Sequence, residues 1–97
     1  MIVYVSIGNS DDGLSQSEWA EFVADVQSLL GGVRIHGEWF SLPHVKWQNA
    51  CWCIEVHDHE YKEGLRLLAI KYRQRSIAWA VAPIPQFIGK EDTHGPG

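Results

Sequence analysis

The sequence predicts one α+β domain with strands and helices in the order β-α-β-β-α-β. Three observations predict it. Apolar and polar residues alternate in short runs that recur along the chain, the mark of half-buried strands. Between these runs lie two stretches with apolar residues three or four apart, the mark of amphipathic helices. The 97 residues suit a single hydrophobic core.

Each element has its own justification. Residues 2–7, IVYVSI, are rich in β-branched side chains, which favours a strand. Val3, Val5 and Ile7 share one face, and Ile2, Tyr4 and Ser6 the other. GNSDDG then reads as a loop. Ser15 and Glu18 form a capping box, in which each side chain accepts from the other's backbone amide. Leu14 and Trp19 stand where a hydrophobic staple belongs. Trp19, Phe22, Val23, Val26, Leu29 and Leu30 make one apolar stripe, and Gly31-Gly32 ends the helix. Glu18, Glu21 and Asp25 lie off that stripe and are expected in solvent. Residues 34–41, RIHGEWFS, predict a second strand, and 49–57 a third, joined by the loop LPHVKWQ. Asp58 is the expected N-cap of a second helix over 59–74, with Tyr61, Leu65, Leu68 and Tyr72 as its buried stripe and Ala69 filling in. Gly64 is a weak point there, costing about 1 kcal/mol against Ala. Residues 76–82, SIAWAVA, predict a fourth strand that Pro83 and Pro85 end or confine to an edge.

This order is that of the split-βαβ, ferredoxin-like sandwich. Right-handed crossovers place both helices on one face of a four-stranded antiparallel sheet. The other face is left for a ligand, a partner or a second subunit. The domain is expected to span 1–88, with 89–97, GKEDTHGPG, as a disordered tail.

Composition excludes several function classes. No apolar run approaches the roughly 20 residues of a membrane span. The start MIVYVSIGNSDDG lacks the basic region of a signal peptide. The two cysteines are too few for a disulfide scaffold, so a cytoplasmic location is expected. The formal net charge is −4 and it is unevenly spread. Residues 1–33 hold acids and no Lys or Arg, whereas 62–75 hold Lys62, Arg66, Lys71, Arg73 and Arg75. The basic set reads as a helix C-terminus complementing its dipole. An acidic chain without a nucleic-acid motif is not expected to bind nucleic acid. No phosphate loop or other cofactor signature is present. Five tryptophans in so short a chain suggest a contact surface and a protein partner.

The chemistry-bearing residues crowd into strands two and three. Alternation puts Ala50, Trp52, Ile54 and Val56 inward, and Cys51, Cys53, Glu55 and His57 outward. Strand two splits as Ile35, Gly37 and Trp39 inward, and His36, Glu38 and Phe40 outward. If Trp39 pairs with Trp52, Glu38 stands opposite Cys53, His36 opposite Glu55 and Phe40 opposite Cys51. His36, Glu38, Cys53 and Glu55 then form a polar cluster beside Tyr4 and Ser6. Three readings compete. The cluster is a satisfied polar surface or subunit interface, a metal site, or a thiol catalytic site in which His36 or His57 activates a cysteine. The C-x-C spacing is a weak match to a zinc site, and no oxyanion hole is identifiable.

Two loops are further candidates. Asp11 and Asp12 precede a helix N-terminus and could hold Mg²⁺ for phosphodiester chemistry. Ferredoxin-like nucleases of CRISPR systems carry an Asp at the end of strand one. Here that strand ends Ser6-Ile7-Gly8, and the plainer reading is a turn. In the hairpin loop 42–49, Val45 and Trp47 either form an exposed hot spot or Trp47 folds back on the core.

The stretches VYVSIGNSDD with LSQSEW, WQNACWCIEV and YRQRSIAWAVAP together resemble small uncharacterised ferredoxin-like proteins of actinobacteria and their phages. The resemblance covers roughly residues 2–88. It carries no reaction and no site residues. It implies a cytoplasmic protein, cellular or phage-encoded, acting in a bacterial host.

The sequence therefore favours a non-catalytic interaction or regulatory module. Its contacts would run through the open sheet face, which also offers a route to a homodimer, or through the Trp47 loop, with Tyr4, His36, Glu38, Phe40, Val45, Trp47, Cys53 and Glu55 as binding residues. The alternatives are a metal or thiol enzyme built on His36, Glu38, Cys53 and Glu55, and a Mg²⁺-dependent nuclease built on Asp11 and Asp12.

Overall fold

The computed structural model describes residues 1–9, 11, 13–83 and 88–90. Asp12, Pro85 and tail residues 91–97 lie outside the described residues. The elements are β1 (Ile2–Gly8), α1 (Gln16–Leu29) running into a 3₁₀ turn (Leu30–Gly32), β2 (Arg34–Phe40), β3 (Asn49–Glu55), α2 (Lys62–Lys71) and β4 (Ala78–Val81). The four strands form one antiparallel sheet in the order β2-β3-β1-β4. The chain is thus α+β, and the order of elements is the expected one.

The core is a single cluster. Val3, Val5 and Ile7 from β1 meet Ala50, Trp52 and Ile54 from β3, with Phe22 and Val26 from α1, Leu65 from α2 and Tyr72 at the C-terminal end of α2 in the same cluster. Phe22 and Tyr72 stack with ring centroids 4.6 Å apart. The capping box of α1 is complete. Glu18 N donates to Ser15 Oγ and Ser15 N to Glu18 Oε1, each at 3.1 Å. Leu14 and Trp19 are both buried beside it.

The second helix departs from expectation at its start. Asp58 does not cap it. Its Oδ1 accepts from Glu60 N at 2.9 Å, an Asx turn that competes with helix geometry. The helix begins later, at Lys62, with no side-chain cap. At the other end, Arg73 N donates to Ile70 O and Gln74 N to Ala69 O, a Schellman motif. Arg73 takes the left-handed position usually held by glycine, with φ 56°. That costs a non-glycine residue roughly 1 kcal/mol, and the guanidinium it aims at Glu18 Oε2, 2.9 Å away, offsets part of it.

The acidic residues of α1 are not free in solvent. Lys71 Nζ lies 2.9 Å from Asp25 Oδ2, and the Tyr72 hydroxyl donates to the same oxygen at 2.6 Å. With Arg73 on Glu18, the acidic first third of the chain is stitched to the basic segment. Lys71 does sit in the last turn of α2, but its partners are carboxylates of α1. Gly64 has a packing reason. A Cβ there would lie 2.7 Å from Leu29 Cδ1, so the glycine lets the helices approach.

A buried amide network ties the loop after β1 to the start of β3. Asn9 and Gln48 are both enclosed. Asn9 Nδ2 donates to Leu14 O and to Gln48 Oε1, and Leu14 N donates to Asn9 Oδ1. Gln16 and Gln48 exchange a pair of side-chain bonds. Each buried amide is satisfied, as burial of polar groups requires.

Candidate interaction surface

The register of β2 on β3 overturns the expected pairing. Ile35 faces Ile54, but Gly37 faces Cys53, Glu38 faces Trp52, Trp39 faces Cys51 and Phe40 faces Ala50. A bulge between Ile35 and Gly37 supplies the extra residue. Beyond a bulge every side chain changes side. Trp39 therefore turns away from the core, and Glu38 and Phe40 turn toward it. Phe40 packs edge-on against Trp52 with centroids 5.7 Å apart. Polarity alone argued for the unbulged register because that register buries Trp39.

The expected four-membered cluster is accordingly split. His36 Nε2 and Glu55 Oε1 are 2.8 Å apart, and this bond holds the Glu55 carboxyl below its ordinary value. Glu38 is on the other side of the sheet. Cys53 sits between Gly37 and Tyr4, and its thiol raises the Tyr4 phenol above its usual range. Cys51 accepts from Ser6 Oγ at 3.3 Å. Among the described residues no thiol is hydrogen-bonded to a histidine, and no three His, Cys, Asp or Glu residues are placed to hold a metal ion. His57 lies beyond the end of β3 and is exposed. Asp11 is exposed and accepts from Gly13 N at 3.1 Å, an Asx turn. In the hairpin loop Val45 is half-buried, whereas Trp47 is 70% exposed, so Trp47 does not fold onto the core.

The register creates a different surface. On the side of the sheet away from the core, two rows cross all four strands. One runs Trp39–Cys51–Ser6–Ala78 and the other Gly37–Cys53–Tyr4–Ala80. Neither contains a charged residue. Trp39 is 55% exposed and Tyr4 43% exposed. The His36–Glu55 pair borders them. The strip offers two large amphipathic rings on a floor of small side chains, which suits apolar contact with a polar rim. Sequence reasoning found Tyr4 and Cys53 but missed Trp39. The one signal available was Gly37, because a glycine inside a strand pattern often marks a bulge.

No helix among the described residues is long and apolar enough to cross a membrane. No protein-family model matches the chain, and no curated protein matches it significantly.

Proposed function

We propose that the protein is a small non-catalytic interaction module of ferredoxin-like architecture that binds a protein through the open side of its sheet. One observation carries this reading: two uncharged rows across the whole sheet, with Trp39 and Tyr4 exposed upon them. Half-exposed aromatic rings on a rigid sheet lose little conformational freedom on binding and are frequent anchors of interfaces. The strand order β2-β3-β1-β4 and the common core of β1, β3 and both helices support the architecture. A second copy meeting this face would form a homodimer. A bacterial protein is the other occupant, in keeping with the resemblance to actinobacterial and phage proteins. Trp47, 70% exposed on the hairpin loop between β2 and β3, is a further exposed ring that a partner could engage.

The test is sedimentation velocity over a concentration series, together with affinity capture from a bacterial lysate. Trp39→Glu and Tyr4→Asp should abolish self-association or remove the captured protein while the circular dichroism stays native. Association that survives both substitutions would defeat the sheet-face reading.

A further inference from the structure

We propose that the groove between α2 and β4 is a docking site for an acidic, extended peptide, which adds as a further strand along the outer edge of β4 and lodges one large apolar side chain in the groove. Three observations converge. The first is the cavity, about 270 Å³, with an apolar floor of Leu65, Ala69, Ile77 and Trp79. Sites for drug-sized ligands run roughly 300–1,000 Å³, so this groove suits a single anchoring side chain better than a whole small molecule.

The second is the strand beside it. β4 is the last strand of the sheet and pairs only with β1 among the described residues. Alternate N–H and C=O groups of such a strand point outward and offer a template for main-chain pairing. Trp79 pairs with Val5 and so lies on the core side. In an added strand alternate side chains would project to the same side, under α2, where the groove lies.

The third is charge. The chain is acidic overall, with net charge −4, yet the rim of this groove carries Lys62, Arg66 and Arg75. Arg66 is engaged by Glu63, and the Lys62 ammonium stands 5.5 Å over the Trp79 ring. Arg75 makes no ion pair among the described residues. A cationic rim on an anionic molecule steers an acidic partner to this edge and repels it elsewhere. The site is separate from the Trp39–Tyr4 strip, so the two readings stand or fall independently.

Fluorescence anisotropy with a labelled synthetic peptide, acidic at both ends around a central Val-Phe-Val, tests the proposal at low salt. Saturable binding is expected. Replacing the central Phe by Ala, or introducing Lys62→Glu with Arg75→Glu, should each weaken it about tenfold or more, equivalent to 1.4 kcal/mol. Amide NMR shifts should concentrate on Ala78–Val81 and α2. Trp39→Glu should bind the peptide unchanged. No saturable binding, equal binding of a lysine-ended peptide, or persistence in the charge-reversed protein would overturn the proposal. Displacement by decanoate with no peptide shifts along β4 would also overturn it, since the groove would then be a site for small apolar anions.

Discussion

The two sides of the sheet are built from the same strands, yet they obey different rules. On the core side Val3, Val5, Trp52 and Ile54 are completely enclosed. On the opposite side Tyr4 and Trp39 keep about half their surface in water, and Cys51 and Cys53 are only partly covered. Both sides carry aromatic rings, so hydrophobicity does not separate them. What separates them is the core cluster, in which Phe22, Val26, Leu65 and Tyr72 are buried together with the residues of the first side. A large ring on the first side is a matter of stability; on the second it is a matter of contact with something else.

The widest test of this difference is a pair of tryptophans on adjacent strands. Trp52→Ala should cost about 3–5 kcal/mol in urea unfolding, the usual range for a large core truncation. Trp39→Ala should stay within about 0.5 kcal/mol, as for surface positions. Similar costs at the two positions would erase the distinction.

A pair of glycines sharpens it at smaller scale. Gly64 lies under Leu29, whereas a Cβ at Gly37 would meet nothing within 4 Å. Gly64→Ala gains about 1 kcal/mol of helix propensity but overpacks the helix seam by about 1–3 kcal/mol, so a net loss is expected. In a Leu29→Ala background the same change should become stabilising by up to about 1 kcal/mol, because the clash is gone. Gly37 is outside the left-handed region, and Gly37→Ala should stabilise by about 0.4–1 kcal/mol through the unfolded chain. A stabilising Gly64→Ala alone would show that the helices do not meet as described.

The smallest effects concern pH. Lys71 and then Tyr72 hold Asp25 below its ordinary value, and His36 does the same for Glu55. Groups depressed in this way stabilise the fold above their unfolded pKa, 3.8 for Asp25 and 4.5 for Glu55, and lose that contribution as pH falls through the folded value. Both sides of the sheet therefore weaken in acid. In alkali both sides carry a raised phenol, Tyr4 beside Cys53 on the open side and Tyr72 on the core side, but only Tyr72 is buried. Burial, with Asp25 beside it, pushes its phenol up to about 12 from 10.0. Its contribution is intact below pH 10.0 and fades as pH rises toward 12. Melting temperature followed against pH should show Tyr72→Phe flattening the alkaline limb and Glu55→Gln altering only the acid limb. An alkaline effect of Glu55→Gln equal to that of Tyr72→Phe would contradict the assignment.

Local chemistry made much of the fold legible. The Ser15–Glu18 box spans four residues and needs no tertiary information. The alternation of β3 survives intact because that strand is flanked on both edges, so its inward residues have nowhere else to go. β2 was misread for the converse reason. It is an edge strand, exposed along its whole length, and a bulge costs little where only one neighbour must be matched. The helix seam was half legible. Opposite charges in residues 1–33 and 62–75 are plain in the sequence, but their pairing requires two helices side by side. The Asn9–Gln48–Gln16 network gave no signal at all, since polar residues in loops ordinarily read as solvated.

Periodicity, caps and glycines thus determined which segments are strands and helices, and in what order, because those preferences act over a few residues. The tertiary structure decided the register of β2, and with it the exchange of Trp39 for Glu38 and Phe40 on the open side. It also decided which carboxylates meet which cations, and why Gly64 is a glycine. These depend on what stands across the sheet or across the helix seam, at separations of tens of residues, where neither local propensity nor polarity carries the information.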